Sequence, residues 1–173
     1  MSGDVLLVKS QMLFATHRDG VFRYLCRIVG QGDAPDLTQE VFLRVARSPV
    51  PETTADGERA WVFRIARNLA LNHRRDNGRR PTTVELGDAS RPASQETTAA
   101  MRQALDRLSP VDRDVFLLRE VAGLSYDEIA ISCEISADAV RSRLHRARQQ
   151  LRSLLQPLLG SGSSTYVRLY DTR

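Results

Sequence analysis

Apolar residues recur at helical intervals in two separated blocks of the chain. In the first block, Phe14, Val21, Leu25 and Val29 share one helix face, followed by Leu37, Val41 and Val45 and then by Val62, Ile65 and Leu69. The pattern predicts three helices able to bury one another. Between the second and third, Ser48 to Glu58 carries Pro49, Pro51 and Gly57 and is too polar for a core, which predicts a loop there and a third helix from Arg59 to about Asn77. Arg79 to Thr98 is rich in Pro, Thr, Ser, Gly and Ala without a sustained period, the composition of a flexible linker.

In the second block Leu105 and Leu108 belong to one helix, and Ser109-Pro110 starts another, with serine as N-cap and proline at the first helical position. Val115, Leu118 and Val121 face inward, and Gly123 ends that helix. Ser125-Tyr126-Asp127-Glu128 has the spacing of a capping box and opens a short helix expected to close near Ile131. A turn over Ser132 to Ile135 precedes Ser136, which caps a last helix with the inner stripe Val140, Leu144, Ala147 and Leu151. A capped short helix, a tight turn and a longer second helix are the signature of a helix-turn-helix. Pro157, Gly160 and Gly162 then interrupt the pattern, predicting a mobile tail over 157–173. The chain therefore reads as all-α: a first helical domain over 1–78, a linker over 79–98 and a helix-turn-helix domain over 99–156.

The polar faces carry the functional signal. On a wheel of about 100° per residue, Arg141, Ser142, His145, Arg148, Gln149 and Arg152 fall away from the Val140–Leu151 stripe. In a helix-turn-helix this face enters the major groove, where arginine pairs bidentately with guanine or holds phosphates. The helix beginning at Arg59 repeats the logic, since Arg64, Asn68, Leu71 and Arg75 lie opposite its apolar stripe with Asn72 beside them. Asparagine can donate to and accept from a base edge, so this mixture suits base reading together with phosphate neutralisation. Trp61 and Phe63 could stack on an unpaired base, but core packing is the expectation. The outer positions Asp36, Gln39 and Glu40 read, on composition, as a solvated face.

Charge sharpens this picture. The net charge is +4 and the isoelectric point near 9.6, with Lys9 the only lysine. Arginine-rich usage by itself fits a GC-rich genome. Between Arg59 and Arg80, however, Asp76 is the only acid among many arginines, and the local excess surpasses that of the whole chain.

Other classes are disfavoured. His17, His73 and His145 are scattered, no metalloprotease motif or nucleophile elbow occurs, and Gly30 to Gly32 is not a phosphate-binding loop, so neither an enzyme nor a metal or other cofactor is expected. Cys26 and Cys133 lack metal-ligand spacing and are read as buried free thiols. With neither a signal peptide nor an apolar run of the about 20 residues a membrane helix needs, the expected location is cytoplasmic, without membrane insertion.

Two long segments also resemble a known family. Asp33-Ala-Pro-Asp-Leu-Thr-Gln-Glu-Val-Phe-Leu-Arg-Val-Ala-Arg47 and Arg59-Ala-Trp-Val-Phe-Arg-Ile-Ala-Arg-Asn-Leu-Ala-Leu-Asn-His73 are similar to region 2 of extracytoplasmic-function sigma factors, in the sigma-70 family. Leu108-Ser-Pro, Gly123-Leu-Ser-Tyr-Asp-Glu-Ile-Ala130 and Ala139-Val-Arg-Ser-Arg-Leu-His-Arg-Ala-Arg148 similarly resemble region 4. The resemblance implies that Asp36, Gln39, Glu40 and Phe42 dock on the β′ coiled coil of RNA polymerase core, with the β flap as a second contact. It implies that Arg64, Asn68, Asn72 and Arg75, with the 48–58 loop, read the promoter −10 element and capture a flipped base, which costs a few kcal/mol. It places Arg141, Ser142, His145 and Arg146 at the −35 element, and it implies a cognate anti-sigma factor.

Three details qualify the resemblance. A linker over 79–98 reaches at most about 66–72 Å, and two turns of DNA span about 70 Å, so two separated promoter boxes are reachable. The turn commonly holds Leu-Gly in the family, whereas Cys133-Glu134 stands here, which predicts a glutamate in a left-handed position at some strain. Pro35 is compatible with its helix only in the first turn. The rival readings are a stand-alone helix-turn-helix repressor or activator, which leaves the first domain unexplained, and a first domain that merely sequesters a partner.

Overall fold

The computed structural model describes residues 2–51, 53–77 and 95–159 of the chain, and among these described residues periodic apolar stripes on arginine- and leucine-rich segments give seven helices. They are α1 (Ser2–Val29), α2 (Ala34–Arg47), α3 (Ala55–Asp76), α4 (Gln95–Asp106), α5 (Pro110–Glu120), α6 (Tyr126–Cys133) and α7 (Ala137–Leu159). No strand occurs among the described residues, so the all-α expectation holds.

The helices α1, α2 and α3 pack on one another as a first unit. Val21, Tyr24, Leu25 and Ile28 of α1 are buried against Val41 and Val45 of α2 and Val62, Phe63 and Ala66 of α3. Each fully buried large side chain stabilises this arrangement by about 1.5–3 kcal/mol. Trp61 and Phe63 are both core residues, and the Phe63 ring meets Tyr24 edge-on at 6.0 Å. Pro35 does sit in the first turn of α2, where its missing N–H would be unpaired in any case.

The second unit wraps α4, α5 and α6 around the inner stripe of α7, with Val140, Leu144, Ala147 and Leu151 all buried. Its caps follow the sequence closely. The Ser109 hydroxyl accepts from the Asp112 amide at 3.2 Å, and Ser125 and Glu128 form the reciprocal capping box. Gly123 adopts φ +69, and the following Leu124 amide returns to the Leu118 carbonyl at 3.0 Å.

Several boundaries differ from the sequence reading. Helix α3 starts at Ala55 rather than Arg59, because the Thr54 side chain accepts from the Gly57 amide at 3.3 Å and Asp56 and Glu58 favour the positive helix start. The loop expected over 48–58 therefore stops at Thr54. Helix α4 starts at Gln95, inside the stretch read as linker, and the rest of that linker lies outside the described residues. Helix α7 runs through Pro157 to Leu159; near a helix end the proline forfeits one backbone bond, too little to stop the helix there. The remainder of the expected tail lies outside the described residues. Helix α6 ends at Cys133 rather than near Ile131. Cys133 is buried as expected, whereas Cys26 is only partly so.

The two units also touch each other. Helix α3 lies along α6, and α1 approaches α5.

Candidate nucleic-acid interface

Helix α7 turns its polar side outward because its apolar stripe is held by α4, α5 and α6. Arg141, Ser142, His145 and Arg146 are all exposed on that side, together with Gln149 and Arg152. Two neighbouring acids hold its arginines in place. Arg141 donates to Asp138 at 2.6 Å and lies over the Tyr126 ring at 5.9 Å, while Arg119 approaches the same ring at 5.3 Å. Asp112 of α5 receives Arg143 at 3.0 Å and lies 3.5 Å from Arg146. Burial pushes the Asp112 carboxyl up, but hydrogen bonds from Ser109 and Arg143 and the charges of Arg146 and Arg143 outweigh that and hold it below its usual value. Arg148, which the wheel also placed on the outer side, is instead tied to Glu120 of α5 at 2.8 Å.

The turn before α7 has the strain anticipated from Cys133-Glu134. Glu134 stands at φ 57, ψ 44, a left-handed conformation that costs a residue with a side chain about 1–2 kcal/mol. Its amide still closes on the Ala130 carbonyl, so the turn geometry of a helix-turn-helix is reached without glycine.

On α3, Arg64, Asn68, Asn72 and Arg75 follow one another along a single stripe, at intervals of three or four residues. Asn68, Asn72 and Arg75 are exposed. Arg64 is less so, because its guanidinium lies 3.6 Å from Glu134 of the second unit. At the far end of the stripe His73 is 2.9 Å from Asp33, which joins the end of α3 to the start of α2.

The residues expected to dock on polymerase separate into two groups. Asp36 and Gln39 are exposed on α2, and Glu40 is paired with Arg44 at 2.7 Å. Phe42 is not a projecting contact: only 7% exposed, it packs edge-on against Phe14 at 5.0 Å and forms the wall of a cleft. This cleft between α1 and α2 measures about 600 Å³ and is bordered by Phe14, Phe22, Pro35, Gln39, Phe42 and Leu43, with Arg18 and Asp19 at its edge. Phe14, expected in the core stripe, is 43% exposed here, and Leu13 occupies the core position in its place. Phe14, Arg18 and Phe22 repeat every four residues, a second stripe beside the first that the sequence reading did not separate out.

Among the described residues no group of three His, Cys, Asp or Glu could hold a metal ion, and no helix is long and apolar enough to cross a membrane.

Comparison with known proteins places these surfaces in a family context. Residues 13–80 match Sigma-70 region 2, and residues 98–151 match Sigma-70, region 4. The chain is 37% identical over 155 residues to the ECF RNA polymerase sigma factor SigE of Mycolicibacterium smegmatis, matching 83% of this chain and 60% of that longer relative. It is 31% identical over 166 residues to the ECF RNA polymerase sigma-E factor of Escherichia coli, covering 86% of this chain and 87% of the relative. The fold matches that of the sigma factor RpoE crystallised with the anti-sigma factor NepR from Bartonella quintana, with a TM-score of 0.69, 22% identity and coverage of 84% and 96% of the two chains. It also matches CnrH in complex with the cytosolic domain of CnrY, with a TM-score of 0.68, 23% identity and coverage of 91% and 99%.

Proposed function

The chain belongs to the extracytoplasmic-function group of the sigma-70 family, and from that premise we propose that it binds core RNA polymerase, reads both promoter elements and starts their melting. The observation that carries this reading is the exposure of two separate polar faces, one bearing Asn68, Asn72 and Arg75 on α3 and one bearing Arg141, Ser142, His145 and Arg146 on α7, in a chain that also presents an apolar cleft. A duplex-binding repressor would need only the second of these faces.

In this reading the unit formed by α1 to α3 binds polymerase and the −10 element, and the unit formed by α4 to α7 binds the −35 element and the β flap. The α1–α2 cleft receives the β′ coiled coil: Phe14, Phe22 and Phe42 supply apolar area, and Asp36 and Gln39 supply the polar rim that sets register. Asn68 and Asn72 present donors and acceptors to an unpaired base, with Arg75 and Arg64 neutralising phosphates. Stacking on Trp61 or Phe63 is not part of the proposal, because both rings are buried. On α7, Arg141 and Arg146 are suited to guanine or phosphate contacts, while Ser142 and His145 reach base edges. An anti-sigma partner is proposed by analogy with the solved sigma factor RpoE, which was captured with the anti-sigma factor NepR.

Core dependence tests the proposal directly. Fluorescence anisotropy of a promoter fragment carrying both elements should show specific binding by the chain only with core polymerase, and Asp36→Arg should weaken capture of core tenfold or more. Tight specific duplex binding by the chain alone, unaffected by core, would favour the stand-alone regulator.

A further inference from the structure

The outer face of α7 carries a single acid. Asp138, in the first turn, is the only acidic residue between Ala137 and Leu159, on a helix otherwise rich in arginine. Its side chain is 89% exposed. At about 100° per residue, Asp138 falls in one narrow sector with Ser142, His145 and Gln149, close to the point opposite the buried Val140–Leu151 stripe. Arg141 and Arg146 lie on the two flanks of that sector. The carboxylate therefore heads the central row of the face rather than its edge.

Neither stability nor general affinity accounts for an acid there. An exposed ion pair three residues apart on a helix contributes little, and an acid in a first turn adds only modestly through the helix dipole. A carboxylate carried towards a duplex repels its phosphates, which lowers affinity for DNA of every sequence. What the geometry supplies instead is recognition. Arg141 Nη1 donates to Asp138 Oδ1 at 2.6 Å, and the same guanidinium lies 5.9 Å from the Tyr126 ring, so the arginine is steadied from two sides. A carboxylate has about four acceptor sites, so the bond from Arg141 leaves others for a base.

Base chemistry then narrows what this pair can take. In the major groove cytosine presents its N4 amino donor, which a carboxylate accepts, and guanine presents N7 and O6, which arginine fills. Thymine O4 and guanine O6 are acceptors that a carboxylate repels. Adenine sets an N7 acceptor beside its N6 donor, an edge suited to an amide rather than a carboxylate. The second helix of a helix-turn-helix contacts base edges through its N-terminal residues, and Asp138 and Arg141 occupy that end of α7.

We propose that Asp138 is a specificity-determining residue: it selects a cytosine in the −35 element through the N4 amino group, rejects thymine there, and holds Arg141 against a neighbouring guanine. The proposal rests on α7 being the −35 face and adds to that reading a residue and the base it takes.

Selection from a promoter library randomised across the −35 element tests it, using holoenzyme reconstituted from the full chain and core polymerase, with bound fragments counted by sequencing. The wild type should favour cytosine over thymine about fivefold or more at one position. Asp138→Ala should abolish that preference, relax only the neighbouring guanine besides, and bind non-promoter duplex at least as tightly as the wild type, because a repelling charge is gone. Asp138→Asn, which keeps the shape of the side chain and can donate through its amide, should accept thymine at the same position. A wild type without a cytosine-selecting position, variants with wild-type base preferences, or variants weakened equally at every position would overturn the assignment. Enrichment by the chain alone and not with core would sink the sigma reading, while the same comparison of variants still decides the role of Asp138. Absence of enrichment under both conditions would overturn both.

Discussion

Glu134 and Asp112 illustrate how single residues set the turn before α7 and hold its outer arginines in place. At Glu134 a side chain occupies a left-handed position that glycine adopts freely. The ion pair it makes with Arg64 is long and mostly exposed, so it contributes little. Glu134→Gly is expected to stabilise the fold by about 0.5–1 kcal/mol, raising the thermal midpoint by about 1–4 °C; a fall in the midpoint would show that the strain is compensated locally. Asp112 provides a pH test. Its carboxyl is held below the ordinary aspartate value of 3.8, so the stability from its arginine contacts is complete above that value and is lost as pH falls through the lower, folded-state one. The stability difference between wild type and Asp112→Asn, from urea unfolding at several pH values, should be full at neutral pH and shrink below about pH 4. A constant difference across that range would assign the effect to packing instead.

At the scale of elements, α6 depends on its capping box. The Ser125 hydroxyl accepts from the Glu128 amide at 3.2 Å, and the Glu128 carboxylate accepts from the Ser125 amide at 2.6 Å. Ser125→Ala should cost about 1 kcal/mol in urea unfolding; a cost near zero would mean that packing against α3 and α7 holds α6 without its cap. This element was legible in the sequence because caps and stripes are local: Ser125-x-x-Glu128, Ser109-Pro110 and the Val140–Leu151 stripe each specify a structure over a few residues. Boundaries were harder where opposing local signals compete. Gly57 and Pro157 read as breakers, yet the Thr54 cap carries α3 past one and the proximity of the helix end makes the other tolerable. Phe14 fits the core stripe about as well as Leu13 because neighbouring residues on a helix differ by only about 100°, and the choice between them depends on where α2 lies. The cleft, and the Arg67–Asp114 pair between α3 and α5, were not legible at all, since they join helices whose mutual placement no local pattern encodes.

For the whole molecule, the proposed function assigns three surfaces: the apolar cleft to polymerase, and the asparagine- and arginine-bearing stripe on α3 and the outer face of α7 to promoter DNA. Both exposed polar faces are legible as residue sets, because inward stripes define the opposite side by subtraction. Their arrangement on one body is not. The most direct test of the central claim is transcription in vitro with purified bacterial core polymerase on a library of promoter fragments, comparing wild type with Asp36→Arg and Asn68→Ala. The account predicts specific transcripts that require the chain, disappear with Asp36→Arg, and weaken about tenfold at the opening step with Asn68→Ala, the range of a lost base contact worth about 1–3 kcal/mol. Absence of initiation on every fragment, alongside tight duplex binding by the chain alone, would contradict it.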